Sequence, residues 1–307
     1  MTAPSPATVG GSWRRDEARL GWALALPALG VIGLVALFPI VWTFWESLHL
    51  HDLRMPWRGR PFVGGANYAE AIADARFLEA LAHTAGFVAA TVTLEIGAGL
   101  LLALALDRPA RARGLIRTAV LLPWAIPTVV AALVWRFIFE SPAGLANAAL
   151  VRLGMAPPTW FADAAAAWIP LVLADVWKTT PFVALLLLAG LQNIDRSLHD
   201  AAAIDGAGPY QQFRQITLPL LTPALLVAFL FRTLDAFRVF DIVYVMTGGG
   251  PGTATESIAM YTFTVIMQNL RFGFGSALSM IIFAVSFVFA LAGIRLLGGH
   301  AFEDRPA

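Results

Sequence analysis

Eight ionisable residues interrupt stretches that are otherwise apolar: Glu95, Arg136, Asp175, Lys178, Arg232, Asp235, Arg238 and Asp241. At a lipid-facing centre each would cost at least about 2.5–3.5 kcal/mol, so they must face a bundle interior, a cavity or one another. Arg232, Asp235, Arg238 and Asp241 alternate in sign every three residues, and successive members are helix neighbours that can pair in sequence. Each step drifts by about 60° around the helix, so this ladder spreads over half the circumference and cannot all face one pore. Asp175 and Lys178 share the spacing and read as a second, self-contained pair. Two roles stay open for these charges: fastening one helix to its neighbours, or serving a solute or gating path.

Other chemistry is sparse. There are no cysteines, which removes disulfides, thiolate metal sites and cysteine nucleophiles together. Lys178 is the one lysine, and no glycine-rich loop precedes it, so the chain lacks a phosphate-cradling loop. Neither H-E-x-x-H nor G-x-S-x-G occurs, which leaves metalloprotease and serine-hydrolase chemistry without a signature. His49, His51 and Asp52 in LHLHD are too few, on a loop, to assign a metal, and none is expected. TGGGPG at 247–252 reads as a tight turn rather than an anion-binding nest, with no basic residue near it before Arg271.

Composition says what must position these groups. The 307 residues are 58% hydrophobic and 13% charged with a net charge of +1. Soluble domains run near 25% charged, and a nucleic-acid partner would want a clustered basic face, so neither class fits. Apolar runs long enough for a hydrocarbon core of about 30 Å give six expected spans. They lie at 21–45, 83–106, 115–139, 167–190, 221–246 and 274–298, between tails 1–20 and 299–307. The first run is too long for a signal-peptide core, and prolines within spans are tolerated where neighbouring helices take up the freed carbonyls. Eleven arginines (14, 15, 19, 108, 111, 113, 117, 196, 214, 295 and 305) fall on one side and six (54, 58, 60, 76, 152 and 271) on the other. The excess predicts that both termini and the 191–220 connection are cytoplasmic. The remaining loops are too short for an independent domain, so function must reside in the bundle or in a complex.

That connection, LQNIDRSLHDAAAIDGAGPYQQFRQITLPL, is unexpectedly polar for its surroundings. Ala201, Ala202 and Ala203 favour a helix, Gly206 and Gly208 stop it, and Pro209 suits the first turn of a second one. In the second, Tyr210, Phe213, Ile216 and Thr217 form an apolar stripe beside Gln211, Gln212, Arg214 and Gln215. Such a helix could lie on the lipid surface, or it could dock into a partner's pocket through its aromatic pair.

The segment resembles the cytoplasmic EAA loop of binding-protein-dependent ABC importer permeases: E-A-A, three residues, G, nine residues, I-x-L-P. Here it reads Asp200-Ala201-Ala202, then Gly206, then Ile216, Leu218 and Pro219 at matching spacing, with Asp200 in place of the usual glutamate. The phrases GGANYAEAIADARFLEALAHT (64–84), VWKTTPFVALLLLAGLQNI (176–194), FRTLDAFRVFDIVYVMTGGGPG (231–252) and FGFGSALSM (272–280) extend the likeness to the maltose/trehalose branch of sugar permeases.

The resemblance implies an all-α polytopic fold of the type I importer kind, in a bacterial inner membrane. It implies a non-enzymatic subunit that pairs with a second permease as a heterodimer. Two ATPase subunits would carry ATP and magnesium, and an extracytoplasmic binding protein would deliver the sugar. The docking residues would be Asp200, Ala201, Ala202, Asp205, Gly206, Ala207, Tyr210, Phe213, Ile216, Leu218 and Pro219. A sugar needs hydroxyl-bonding groups and flat apolar faces, for which Trp177, Thr180, Asp235, Phe237, Phe240, Asp241, Tyr244, Tyr261 and Gln268 are candidates. The competing reading is a stand-alone secondary transporter with Glu95, Asp235 or Asp241 as proton sites. It leaves the glycine turn without purpose, and the two halves show no internal repeat.

Overall fold

The structure is a computed structural model that describes residues 10–108 and 113–302. In chain order the helices are α1 (Arg19–Ser47), α2 (Ala66–Ala73), α3 (Ala75–Asp107), α4 (Gly114–Ala125), α5 (Thr128–Phe139) and α6 (Leu145–Arg152). There follow α7 (Trp168–Gln192), α8 (Arg196–Ile204), α9 (Pro209–Phe237), α10 (Asp241–Met246), α11 (Ile258–Gln268) and α12 (Phe272–Arg295). Helices α1, α3, α7, α9 and α12 are each long and apolar enough to cross a membrane, and α4 with α5 makes a sixth span bent by 86°. Arg14, Arg15, Arg111, Arg113 and Arg305 have side chains outside the described residues, as do the expected tail segments 1–9 and 303–307.

Prolines decide where these helices depart from the lengths the apolar runs suggest. The run 115–139, expected as one helix, breaks at Ile126–Pro127, where Pro127 sits at φ −54° and ψ 136°. Proline has no N–H for the helix ladder and pushes its predecessor out of the helical region, so the span turns there. Pro219 has a milder effect, because the turn before it widens: the Leu218 N–H bonds the Phe213 carbonyl, five residues back. This π turn makes room for a ring that would otherwise strike the carbonyl four residues earlier. The fifth helix therefore runs unbroken from Pro209 instead of starting at 221. A similar turn over Gly33–Leu37 precedes Pro39 in α1.

At its far end, α9 stops at Phe237, short of the expected 246. Arg238 leaves helical geometry (φ −101°, ψ 21°), and the Ser257 hydroxyl donates to the freed Val239 carbonyl at 2.7 Å before α10 begins. A contact from a residue 18 positions away thus fixes the boundary.

Helices α3, α7 and α9 form the centre, with α3 on α7 the most extensive contact. One core layer gathers Ala103, Leu106, Val183, Leu187, Leu191, Leu221 and Ala228 from these three helices. A second, further along, joins Phe87, Ala132, Leu171, Ile242, Val243 and Met246. Glycines let the helices approach. A Cβ on Gly99 would lie 2.6 Å from Val183 Cγ1, and one on Gly190 would lie 2.6 Å from Ala224 Cβ. Small residues at helix crossings are how membrane bundles gain van der Waals contact without a hydrophobic driving force. Gly99→Val is accordingly expected to force α3 from α7 and cost about 1–3 kcal/mol, read as a lower thermal midpoint of the detergent-solubilised chain. By contrast α1 turns Leu20, Trp22, Leu24 and Leu34 outward, as a helix surrounded by lipid would.

The connection after α1 is tied down by its own charges. Glu46 accepts from His51 and Arg60, and His49 Nδ1 lies 2.8 Å from the Trp45 carbonyl. Hydrogen bonds from the Arg54 side chain, at 2.6 and 2.9 Å, hold the Asp52 carboxyl below the usual carboxylate range. In the connection between α10 and α11 Gly248, Gly249 and Gly252 all take positive φ, so TGGGPG is a turn closed by Thr255, whose hydroxyl donates within it at 2.7 Å to the Gly250 carbonyl.

Candidate functional site

The centre of the bundle holds a charge cluster drawn from three helices. Glu95 of α3 is completely buried, and Arg232 of α9 is 2% exposed. Arg232 Nε donates to Glu95 Oε2 at 2.5 Å and Nη2 to Oε1 at 2.9 Å, a bidentate pair. The same guanidinium reaches Asp175 Oδ2 of α7 at 3.1 Å and Asp235 Oδ2 at 2.5 Å. Thr179 of α7 completes the shell, its hydroxyl 2.5 Å from Glu95 Oε1. One cation thus serves three carboxylates and pins the three central helices at one level.

Two expected pairings are corrected. Asp175 and Lys178 do not pair with each other: Asp175 turns to Arg232, and Lys178 Nζ donates to the Trp124 carbonyl at 3.3 Å. The ladder in α9 is real for its first rung only. With the helix ending at Phe237, Arg238 caps it, its Nε donating to the Leu234 carbonyl at 3.3 Å rather than to Asp235 or Asp241.

Beside the cluster lies a polar cavity of about 280 Å³, lined by Asp175, Lys178, Thr179, Asp235, Arg238 and Asp241 together with Trp124, Thr128 and Phe240. Glu95 and Arg232 stand behind it, so four carboxylates and three cations surround one pocket. Asp235 is the open member, its side chain 68% exposed. Neutralising it (Asp235→Asn) is expected to cost at most about 1 kcal/mol of stability, since an exposed partner adds little, while leaving the buried Glu95–Arg232 pair intact. A thermal midpoint close to that of the unaltered chain checks this.

The other candidates lie elsewhere. Trp177 is in ring contact with Trp135 at 5.9 Å, and the Thr180 hydroxyl is buried without a partner, outside this cavity. Phe237 lines a separate apolar cavity of about 460 Å³ with Phe229 and Phe289. Tyr244 stacks on Phe240 at 5.3 Å and is half-exposed. Tyr261 is buried, donating to Asp74 with the Arg76 guanidinium 5.2 Å from its ring centroid. Gln268 ends α11 at the surface. Trp124, Thr128 and Thr179 line the cavity without having been singled out. Glu95 was visible as a lone acid in an apolar run, but its partner lies 137 residues away.

A second site is the helix–turn–helix of α8 and the start of α9. Asp195 caps α8, and the Ser197 backbone N–H at 2.9 Å holds its carboxyl below the usual range. At the other end Gly206 takes φ +85°, its N–H bonds the Ala203 carbonyl at 3.1 Å, and the Ala207 N–H bonds Ala202 at 2.9 Å. This is a Schellman turn, which glycine closes without strain. Pro209 then opens α9, with Gln211 Oε1 accepting from the Gly208 N–H at 2.9 Å.

The turn presents Asp200, Ala201, Asp205, Tyr210 (72% exposed) and Ile204 (87% exposed) to the surroundings. Ile204 is a further exposed apolar residue there, outside the apolar stripe because it precedes the second helix. Phe213, Ile216 and Leu218 are half-buried against the bundle, Pro219 is exposed, Ala202 and Ala207 are half-buried, and His199 Nε2 lies 3.1 Å from Thr217 Oγ1. The turn's base is thus fastened to the spans while its tip is free of partners from this chain.

A bundle of membrane-length apolar helices carries a polar cavity near its centre and a glycine turn projecting from one end. Residues 95–297 match the binding-protein-dependent transport system inner membrane component family, and the chain belongs to that family. It is a sugar permease of an ABC importer, a multi-pass inner-membrane protein. It is 43% identical to the trehalose/maltose transport system permease protein MalF of Thermococcus litoralis, over 91% of this chain and 94% of that one. It is 40% identical to the trehalose transport system permease protein SugA of Mycobacterium tuberculosis, over 96% and 94% respectively. The fold matches a subunit of a bacterial ABC transporter involved in the import of the acidic polysaccharide alginate, with a TM-score of 0.77, 22% identity and coverage of 93% and 97%.

Proposed function

We propose that this chain moves an α-linked disaccharide, trehalose ahead of maltose, across the cytoplasmic membrane by alternating access. In this reading it is one half of a heterodimer with a second permease, and the exposed side of the polar cavity meets that partner. Two ATPase subunits carry ATP and magnesium, and no cofactor resides on this chain. An extracytoplasmic binding protein delivers sugar to the side bearing the outer connections, and both termini lie in the cytoplasm. The relatives' names support the sugar. The observation that carries the mechanism is the Schellman turn at Gly206, rigid at its base and holding Ile204 and Tyr210 outward where a partner can grip them.

The cavity suits a sugar chemically. Carboxylates at Asp175, Asp235 and Asp241 accept hydrogen bonds from hydroxyls, and the Trp124 and Phe240 rings offer flat faces. Uptake by proteoliposomes holding the assembled transporter tests the reading. Trehalose uptake should require internal ATP and the binding protein, and should survive collapse of the proton gradient. Uptake driven by a proton gradient without ATP would contradict it and favour the buried carboxylates as proton carriers.

A further inference from the structure

At the base of the bundle, near the docking turn, a second cavity of about 510 Å³ has a different character from the first. Its walls carry Arg108 from the end of α3, Arg117 from α4, and Arg196 and His199 from α8; among the described residues Asp107 is the single acid lining it. None of the three arginines makes an ion pair or a side-chain hydrogen bond with the described protein. Arg117 Nε is buried with no acceptor among the described residues. A buried charged donor left without an acceptor is costly, so Arg117, with the exposed Arg108 and Arg196 lining the same hollow, points to an acceptor that the described residues do not supply.

We propose that this cavity binds a phosphate group. Guanidinium forks match phosphate oxygens bidentately, which makes arginine rather than lysine the fitting residue here. The remaining walls are Leu104, Leu191 and Ile194, so one side of the hollow is apolar. It lies where α3 and α7 end. The phosphate can come from the headgroup of an anionic phospholipid or from a soluble phosphate compound; both present the same dianionic or monoanionic oxygens to the same forks.

Binding has a mechanical consequence. Thr217, in the π turn of α9, also lines the cavity and is linked to His199 of α8 at 3.1 Å. A phosphate held between Arg117 and Arg196 would tie α4 to α8 and stiffen the docking turn against the spans. The site rests on the proposed function only for its side of the membrane, and binding is measured without transport.

The test uses the intact transporter. Nanodiscs of phosphatidylcholine with a minor fraction of phosphatidylglycerol are dissolved gently, and the lipid retained per chain is measured by mass spectrometry. Delipidated protein is separately titrated with inorganic phosphate against chloride at equal ionic strength. Preferential retention of phosphatidylglycerol, weakened roughly tenfold or more in the Arg117→Gln/Arg196→Gln double variant, supports a lipid headgroup. Saturable protection by inorganic phosphate, lost in the same variant, supports a soluble ligand. If the unaltered transporter shows neither a phosphatidylglycerol preference nor phosphate-specific protection, the proposal is wrong. That result needs no folded variant and would leave ATP-driven sugar uptake untouched.

Discussion

Arg232→Met is expected to destabilise the bundle by about 3–5 kcal/mol, the cost of removing one partner from a buried ion pair. Methionine fits the space in length and flexibility, so the loss is electrostatic rather than a cavity. Without the guanidinium, Glu95 and Asp175 face each other across a buried gap with Thr179 as the remaining donor beside Glu95. The second variant makes the cause explicit. Arg232→Met combined with Glu95→Gln also removes the charge of the fully buried Glu95, leaving Asp175 as the buried carboxylate without its partner, and should recover part of the stability, since neutral replacements of a buried pair are often tolerated. The readout is the thermal midpoint and the fraction of monodisperse chain in detergent. Equal damage in the single and double variants would mean that the cluster is not the fastening between α3, α7 and α9.

Gly206→Val should act elsewhere and in the opposite way: normal amounts of inserted chain, with sugar uptake lowered about tenfold or more. Valine is β-branched and resists the φ of +85° that Gly206 takes, at a local cost of about 1–3 kcal/mol. Added atoms meet nothing, since no neighbour lies within 4 Å of a Cβ built there. Strain is therefore confined to the turn, and the Ala207-to-Ala202 and Gly206-to-Ala203 bonds open to relieve it. A turn that is closed one tenth as often transmits correspondingly less of the partner's motion. Uptake rate divided by ATPase rate, compared with the unaltered complex, separates this from misfolding. An unchanged ratio would remove the turn from the coupling path.

The spans were legible because lipid imposes a length and a composition that survive in the sequence as apolar runs. The 200–219 turn was legible for a local reason: Gly206, Gly208 and Pro209 each enforce a backbone geometry that no neighbour need assist. Interruptions were harder. Ile126–Pro127 bends a span by 86°, whereas Pro219 is absorbed by a π turn, and both are prolines in apolar sequence. What separates them is whether the preceding turn can widen, a property of packing. The end of α9 depends on Ser257 reaching Val239, and apolar residues continue past it without a signal.

Charge pairing followed the same rule. The i,i+3 reasoning found Arg232–Asp235 but placed Asp175 with Lys178, because it could see only partners on one helix. Glu95, Asp175 and Arg232 meet because α3, α7 and α9 meet, and that closeness rests on Gly99 and Gly190. The surroundings of Tyr261 were equally hidden, because Asp74 and Arg76 reach it from another helix.

The central claim is that the tip of the 200–219 turn is held by an ATPase, and it can be tested by contact alone. The chain has no cysteines, so Ile204→Cys introduces a single thiol at a position that is 87% exposed at the end of α8. With the assembled transporter in membranes, a short thiol cross-linker should join this chain to the ATPase subunit, and the yield should change when ATP is added. The same substitution at an outward lipid-facing position such as Leu24→Cys should give none. Absence of any ATPase adduct from position 204 in a complex that still imports sugar would contradict the account.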